Sequence, residues 1–179
     1  GAAGLTLTSG AAQMGAKTLL VEARDKLGGD CLHFGCVPSK TLIKSARVYH
    51  QMQNGPKFGL PEITPPPVDF SLIRARIQSV INTIQQHDSV ERFCSLGARV
   101  KFGRAEFVDE HSIRIEGQII SARKWAVATG SRPALPPVKG LESVSYLTNE
   151  NVFHLPELPS DMLILGGGPI ALEMAQAFN

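Results

Sequence analysis

The chain has 179 residues, of which 43% are hydrophobic and 19% charged, a composition typical of an ordinary globular chain with one substantial core. Its net charge of +2 is spread along the chain, which argues against nucleic acid or an anionic membrane as a partner. No apolar run approaches the roughly 20 residues of a membrane span, and no secretory signal opens the chain. Three cysteines fit a reducing compartment, so we expect a cytoplasmic protein.

The first segment predicts a helix of small residues followed by a short buried strand at residues 18–22. Glycines at a helix N-terminus let the backbone approach a pyrophosphate, and an acid about 20 residues on accepts a ribose hydroxyl. Gly1 and Gly4 match the last two glycines of such a fingerprint, and Glu22 matches the acid. The strand and glycine that would precede them are missing, so we expect a chain cut at its start. A close-packed helix without a ligand is the alternative.

A second fingerprint lies at the other end, in DMLILGGGPIALEMAQAFN. An apolar strand is predicted at residues 162–165, and Gly166, Gly168 and Ala171 then form a G-x-G-x-x-A pattern before a predicted helix. This is the strand, turn and helix order that the motif requires. The sequence therefore contains two dinucleotide-binding fingerprints, and we expect the second to be cut off after its first helix.

The middle of the chain predicts alternating helices and strands. Residues 41–52 are compatible with a helix, residues 54–67 form a Pro- and Gly-rich connector, and residues 70–93 follow the spacing of one long amphipathic helix. Cys94 lies in that amphipathic segment and is expected to be buried. A short strand at 98–103, a hairpin turning at Glu116 and Gly117, and an apolar strand at 124–130 complete the pattern.

The stretch GGDCLHFGCVPSK, residues 28–40, contains Cys31 and Cys36. In a regular helix their Cα atoms would lie roughly 8 to 9 Å apart, whereas a disulfide needs about 4.4 to 6.8 Å. A bond between them would therefore require a departure from the helix, which Gly35 and Pro38 permit. So small a ring stabilises a fold little and is a candidate for redox chemistry. A helix start with Lys40 nearby would favour a thiolate.

Three other interpretations compete for the cysteine pair. A zinc site needs two more ligands at a recognisable spacing, which His33 and His50 do not supply. Two buried, unreacted cysteines are possible, although the flanking glycines suggest a close approach of the backbone to something large. A thioredoxin-like motif has two residues between its cysteines rather than four.

The stretch resembles the signature G-G-x-C-x-x-x-G-C-x-P-S-K of the class I pyridine nucleotide-disulfide oxidoreductases, the family of dihydrolipoamide dehydrogenase, glutathione reductase and mercuric reductase. The resemblance continues through GRAEF from Gly103, ATG at residues 128–130 and the glycine pattern from Gly166. It implies an α/β fold of the FAD/NAD(P)-binding Rossmann-like type, with a parallel sheet, helices and a small antiparallel β element.

The resemblance also implies a mechanism, in which NADH or NADPH reduces FAD and electrons pass to a Cys31–Cys36 disulfide and on to a substrate. Cys36 matches the sulfur next to the flavin, Cys31 the interchange thiol that attacks the substrate, and Lys40 the lysine near the flavin ring. The other implied cofactor positions are Gly1, Gly4, Glu22, Ala23, Gly28, Gly29, Asp30, Ala105, Ala128, Thr129 and Gly130 for FAD, and Gly166, Gly168 and Ala171 for NAD or NADP.

The sequence departs from the family pattern in two ways. Asp30 and His33 replace the threonine and asparagine common in the signature, which we interpret as the mark of a subgroup. We also expect a truncated chain, with an FAD-binding domain at residues 1–132, a proline-rich link at 133–160 and the start of an NAD(P)-binding domain at 161–179. The acid–base His-Glu pair of the family would lie beyond Asn179, so this piece alone is expected to be inactive.

The expected substrate is a small-molecule disulfide or a metal–thiol complex, and the full-length parent is expected to be a homodimer. Reduction of mercury(II) by the same dithiol is the alternative within the family. A non-catalytic module that binds a soft metal or a partner through Cys31 and Cys36 is the alternative from a different class.

Overall fold

Six α-helices and five β-strands make up the computed structural model, which describes residues 1–179. The helices are α1 (Ala2–Gln13), α2 (Gly29–His33), α3 (Cys36–Gln53), α4 (Phe70–Gln85), α5 (Val90–Ser95) and α6 (Pro169–Phe178). The strands are β1 (Leu19–Glu22), β2 (Arg99–Phe102), β3 (Ala105–Asp109), β4 (Ser112–Ile115) and β5 (Gln118–Ser121). None of the helices has both the length and the apolar character needed to cross a membrane.

The chain divides into two compact units, each formed from two stretches. The first unit contains residues 1–32 and 83–132, and the second contains residues 33–82 and 133–179. The domain boundaries expected from the sequence, at 132 and 160, stay a prediction.

A two-stranded parallel sheet lies at the centre of the first unit. β1 and β2 pair in register from Leu19 opposite Arg99 to Glu22 opposite Phe102. The pairing extends one step past β1, because the Gly103 N–H donates to the Glu22 carbonyl at 2.9 Å. With the helices and the separate antiparallel sheet, this confirms the expected mixed α/β class.

The core of the first unit joins α1, β1 and α5. Leu5, Leu20, Leu27 and Phe93 are buried together, and α1 directs Leu5, Thr8 and Ala12 inward at spacings of three and four residues. Removal of these apolar side chains from water is the main force that holds the helix on the sheet. The core thus fixes the N-terminus of α1 close to the carboxyl end of β1.

The antiparallel sheet has the order β3-β4-β5, and its second turn lies where the sequence predicts it. Glu116 and Gly117 both have positive φ angles, 47° and 79°, as a two-residue hairpin turn of the primed type requires. Ile113 and Ile115 of β4 are buried. Ile113 and Ile115 alternate with Ser112 and the exposed Arg114, so β4 has one buried apolar face.

Helices α3 and α6 pack together in the second unit. α3 buries Pro38, Thr41 and Leu42, and the ring of Phe178 in α6 lies 6.0 Å from the ring of Phe70 in α4. The helix predicted at residues 41–52 is confirmed and begins five residues earlier, at Cys36.

The long helix expected over residues 70–93 is wrong, because it is interrupted. α4 ends at Gln85, and Ser89 caps a new helix with its hydroxyl oxygen, which accepts from the Arg92 N–H at 3.2 Å. Cys94 is exposed rather than buried. The buried position of α5 is Phe93, and the next residue on a helix points about 100° away from it.

Two predicted strands are also absent. Residues 162–165 and 124–130 have no regular secondary structure, and Leu163 is 88% and Val127 73% exposed. A strand exists only through hydrogen bonds to a neighbouring strand, and neither segment has one. The apolar runs predicted strands, but apolar side chains alone do not provide the neighbouring strand with which such a segment must pair.

Asp69 stabilises the beginning of α4 in its charged form. Its carboxylate accepts from the Ser71 N–H at 2.9 Å, and hydrogen bonds from the Ser71 hydroxyl and backbone lower the pKa of Asp69 below its ordinary value. A lowered folded-state pKa means that this stabilisation is present above the unfolded pKa and is lost as the pH falls through the folded one.

We therefore expect Asp69→Ala to lower the melting temperature at pH 7, because the first turn of α4 loses its acceptor. The difference from wild type should shrink as the pH falls below the unfolded-state pKa of 3.8 and through the lower folded-state pKa, where Asp69 of the folded chain becomes protonated. Thermal unfolding followed by circular dichroism measures both effects. Asp69→Asn, which keeps an acceptor, serves as the matched control. A deficit of equal size at pH 7 and at pH 2 would contradict the assignment.

Candidate cofactor and redox site

Two glycines bring the start of α1 against the start of α2. Gly1 is the N-cap of α1, and a Cβ placed on Gly29 would lie only 2.3 Å from the Gly1 Cα. Gly29 also has a φ of 65°, in the left-handed region that side chains disfavour. Any larger residue at position 29 would push these two backbone segments apart.

The acid predicted to bind a ribose lies at the same place. Glu22 ends β1, and its Oε2 lies 3.4 Å from the Gly1 nitrogen while its Oε1 accepts from the Arg24 N–H at 3.0 Å. Its side chain is only 15% exposed. A carboxylate at the carboxyl end of a parallel strand, beside a glycine-lined helix start, is the arrangement found in dinucleotide sites. The residues present thus fit a bound dinucleotide.

The segment at residues 128–130 lies against these elements. A Cβ on Gly4 would lie 3.6 Å from Leu20 Cδ1 and 3.7 Å from the Ala128 Cβ, and the atom nearest to a Cβ on Gly130 is Oδ2 of Asp30, at 3.7 Å. The first unit therefore gathers most of the predicted FAD positions in one place: Gly1, Gly4, Glu22, Gly29, Asp30, Ala128 and Gly130.

The remaining predicted FAD positions are Ala23, Gly28, Ala105 and Thr129. Ala23 comes directly after Glu22 and is exposed, Gly28 is buried, and Thr129 is exposed. Ala105 opens β3 and is exposed. It lies two residues after Gly103, which is hydrogen-bonded to the end of β1.

The chain leaves the helical conformation between the two cysteines of the signature. Cys31 lies in α2 and is half-buried, whereas Cys36 is the first residue of α3 and is exposed. Gly35 separates the helices with φ −131° and ψ −110°. Cys36 therefore occupies the positive end of the dipole of an 18-residue helix. The pairing of the two sulfurs stays a prediction.

Lys40 has a partner that the sequence did not reveal. It lies one turn after Cys36 in α3, and its Nζ contacts Oε2 of Glu173 in α6 at 2.5 Å. The two side chains are 60% and 41% exposed, so their ion pair adds little to stability. Its effect is to restrict where the lysine charge can lie. Because 133 residues separate the partners, only the docking of α6 on α3 brings them together.

The second glycine pattern forms the turn into α6. Gly168 is the N-cap of this helix and Pro169 its first residue, an order that favours helix initiation. A Cβ on Gly166 would reach the Ala171 Cβ at 4.0 Å. The three predicted positions, Gly166, Gly168 and Ala171, thus lie on one turn-and-helix element of the second unit.

Comparisons with known proteins agree with this arrangement. A family model described as pyridine nucleotide-disulphide oxidoreductase matches residues 1–179. Mercuric reductase of Staphylococcus aureus is 32% identical over 179 residues, which are 100% of this chain and 32% of the relative. Dihydrolipoyl dehydrogenase of Bacillus subtilis (strain 168) is 32% identical over 200 residues, covering 100% of this chain and 40% of the relative.

A solved structure is also similar to this chain. The HOCl-induced flavoprotein disulfide reductase RclA from Escherichia coli matches with a TM-score of 0.80 and 28% identity, over 97% of this chain and 36% of that one. The chain thus spans about a third of the length of the first relatives it matches.

Fold, glycine turns and structural likeness together define an α/β protein whose fold matches part of a flavoprotein disulfide reductase. The chain belongs to the pyridine nucleotide-disulphide oxidoreductase family, whose members use FAD and NAD(P)H. The resemblance inferred from the cysteine signature is confirmed at the level of the family.

We expect Gly29→Ala to destabilise the first unit by about 1 to 3 kcal/mol, because alanine is strained at this φ and its Cβ would collide with the Gly1 backbone. Urea denaturation followed by circular dichroism measures the loss. Gly4→Ala is the matched control, since its Cβ makes only ordinary contacts and alanine favours the helix. Equal stabilities of the two variants would contradict the close approach.

Proposed function

We propose that this chain is the flavin-binding part of a flavoprotein disulfide oxidoreductase, which passes electrons from NAD(P)H through FAD to a Cys31–Cys36 disulfide and on to a disulfide substrate. The observation that carries the proposal is the signature cysteine pair, interrupted by Gly35 and with Cys36 at the start of α3. The glycine-lined place beside Glu22 supports it independently.

Residues of the first unit would hold the flavin dinucleotide. Glu22 would accept a hydrogen bond from a ribose hydroxyl, and the paired glycines Gly1 and Gly29 would let the backbone come close to the diphosphate. Gly28, Ala23, Asp30, Ala105 and the turn at residues 128–130 would line the remainder of the site. FAD, when bound, supplies a relay between a hydride donor and a dithiol.

The two cysteines would carry the electrons to the substrate. Their disulfide takes up two electrons and two protons, supplied as the hydride of NAD(P)H and one proton from solvent, and becomes two thiols. Cys31, as the interchange thiol, would then attack the substrate disulfide, break its S–S bond, release the first substrate thiol and form a mixed disulfide. Attack by Cys36 on Cys31 would release the second substrate thiol and restore the original bond.

Lys40 and the second glycine pattern would assist from the second unit. The lysine charge, which the Glu173 carboxylate restrains, would favour negative charge that develops on the flavin ring. Gly166, Gly168 and Ala171 would form the start of the NAD or NADP site. We assign the FAD domain to residues 1–132, the link to 133–160 and the start of the nucleotide domain to 161–179.

Reduction of mercury(II) is the second candidate, because a mercuric reductase is 32% identical over the whole of this chain. The same dithiol would bind the metal ion, and two electrons from NAD(P)H would reduce it to the metal. For the full-length parent we propose a homodimer in the cytoplasm, since a redox-active pair among three cysteines fits a reducing compartment.

The visible absorption spectrum of the purified chain, incubated with FAD and freed of excess flavin by gel filtration, tests the proposal. After reduction with a dithiol we expect the long-wavelength band that a thiolate next to a bound flavin produces. Cys36→Ser should abolish this band and retain the flavin, whereas Cys31→Ser should keep both.

Cys94→Ser is the control, because Cys94 is an exposed thiol outside the signature and its loss should leave the spectrum unchanged. Retained flavin with an identical spectrum in wild type and Cys36→Ser would contradict the assigned role of Cys36. A wild-type chain that retains no flavin and binds a soft metal through both cysteines would favour the non-catalytic module instead.

A further inference from the structure

The Asp30 side chain lies in the glycine-lined place formed by Gly1, Gly29 and Gly130, which would receive the flavin dinucleotide. Oδ1 of Asp30 lies 3.5 Å from Nη2 of Arg24, and its Oδ2 is the atom nearest to a Cβ built on Gly130, at 3.7 Å. Asp30 directly follows Gly29, which touches the Gly1 backbone. Its carboxylate therefore lies between the helix start and the turn at residues 128–130.

The charges at this place are balanced before a diphosphate arrives. Glu22 and Asp30 contribute two carboxylates, and the Gly1 ammonium, 3.4 Å from Glu22 Oε2, and the Arg24 guanidinium contribute two positive charges. The Glu22 carboxylate also accepts from the Arg24 backbone N–H. The Arg24 side chain lies 3.5 Å from Oδ1 of Asp30 and forms an ion pair with it.

The ion pair between Arg24 and Asp30 can open readily. Both side chains are 40% exposed, and half-exposed pairs in contact with water are held weakly. A guanidinium binds a phosphate through two parallel hydrogen bonds, which is a better match than a single 3.5 Å contact. Arg24 thus has two possible anionic partners at one place, Asp30 and a diphosphate.

We propose that Asp30 lowers the affinity of the site for its cofactor by competing with the cofactor diphosphate for Arg24. Arg24 pairs with Asp30 in the free protein and exchanges it for phosphate oxygens when a dinucleotide binds. The affinity for a diphosphate is thereby set lower than the glycine-lined backbone alone would allow. This inference rests on the proposed function, since it assumes that the site takes a flavin dinucleotide.

The test measures FAD affinity by the change in flavin fluorescence, in wild type and in Asp30→Asn, at low ionic strength. Asparagine keeps the shape and removes the charge, so we expect FAD to bind roughly threefold to tenfold more tightly. Arg24→Gln should weaken binding, and by a larger factor in the Asp30→Asn background, where the Asp30 carboxylate no longer competes for Arg24. Asp25→Asn is the matched control, because Asp25 is an exposed acid in the loop between β1 and α2.

Unchanged or weaker FAD binding in folded Asp30→Asn would overturn the inference, as would an equal gain in Asp25→Asn. Circular dichroism shows whether the variants fold. If Asp30→Asn does not fold, Arg24→Gln decides, since an unchanged FAD affinity in that variant overturns the exchange and a weakened one supports it. Because salt screens charges, the difference between wild type and Asp30→Asn should shrink at high ionic strength, and a difference insensitive to salt would overturn the charge-based account.

A titration with ADP separates this inference from the proposed function, because ADP carries the diphosphate without the flavin. Tighter ADP binding in Asp30→Asn than in wild type, together with no FAD binding by wild type, would support the competition for Arg24 and contradict the proposed flavoprotein. FAD binding by wild type with equal ADP affinities in the two proteins would contradict the competition alone. Binding of neither ligand by wild type would overturn both.

Discussion

The close approach of Gly29 to Gly1 is the constraint on which the candidate cofactor site depends. It holds the starts of α1 and α2 at backbone contact, and the core of Leu5, Leu20 and Leu27 keeps α1 on β1 so that this contact persists. Glu22 reaches the helix start only because β1 ends there. Apolar packing thus determines where the polar groups of the site are presented.

In the second unit, the main constraint acts on the position of a single charge, the Lys40 ammonium. Lys40 extends from α3, and a flexible ammonium on an exposed helix face would sample many positions. The docking of α6 places the Glu173 carboxylate within reach. The same helix begins at the second glycine turn, so the element that carries the nucleotide fingerprint also carries the acid that restrains the lysine.

Local features were predictable from the sequence because their causes are local. The glycine turns and the hairpin at Glu116 and Gly117 follow from the conformations that these residues allow, whereas α3 begins five residues before the predicted start at residue 41. The break before α5 was missed although Ser89 is a good N-cap, because the apolar spacing continues across it to Phe93. The ion pair of Lys40 and Glu173, and the failure of residues 162–165 to form a strand, depend on which distant segments meet.

The two apolar segments without strand partners, residues 124–130 and 162–165, have a consequence for the behaviour of the chain at high concentration. Each presents unpaired backbone N–H and C=O groups together with exposed side chains such as Val127, Leu163 and Leu165. Short runs of β-prone residues with unpaired backbone are templates for edge-to-edge association between molecules. We therefore expect copies of this chain to associate at these two runs when its concentration is high.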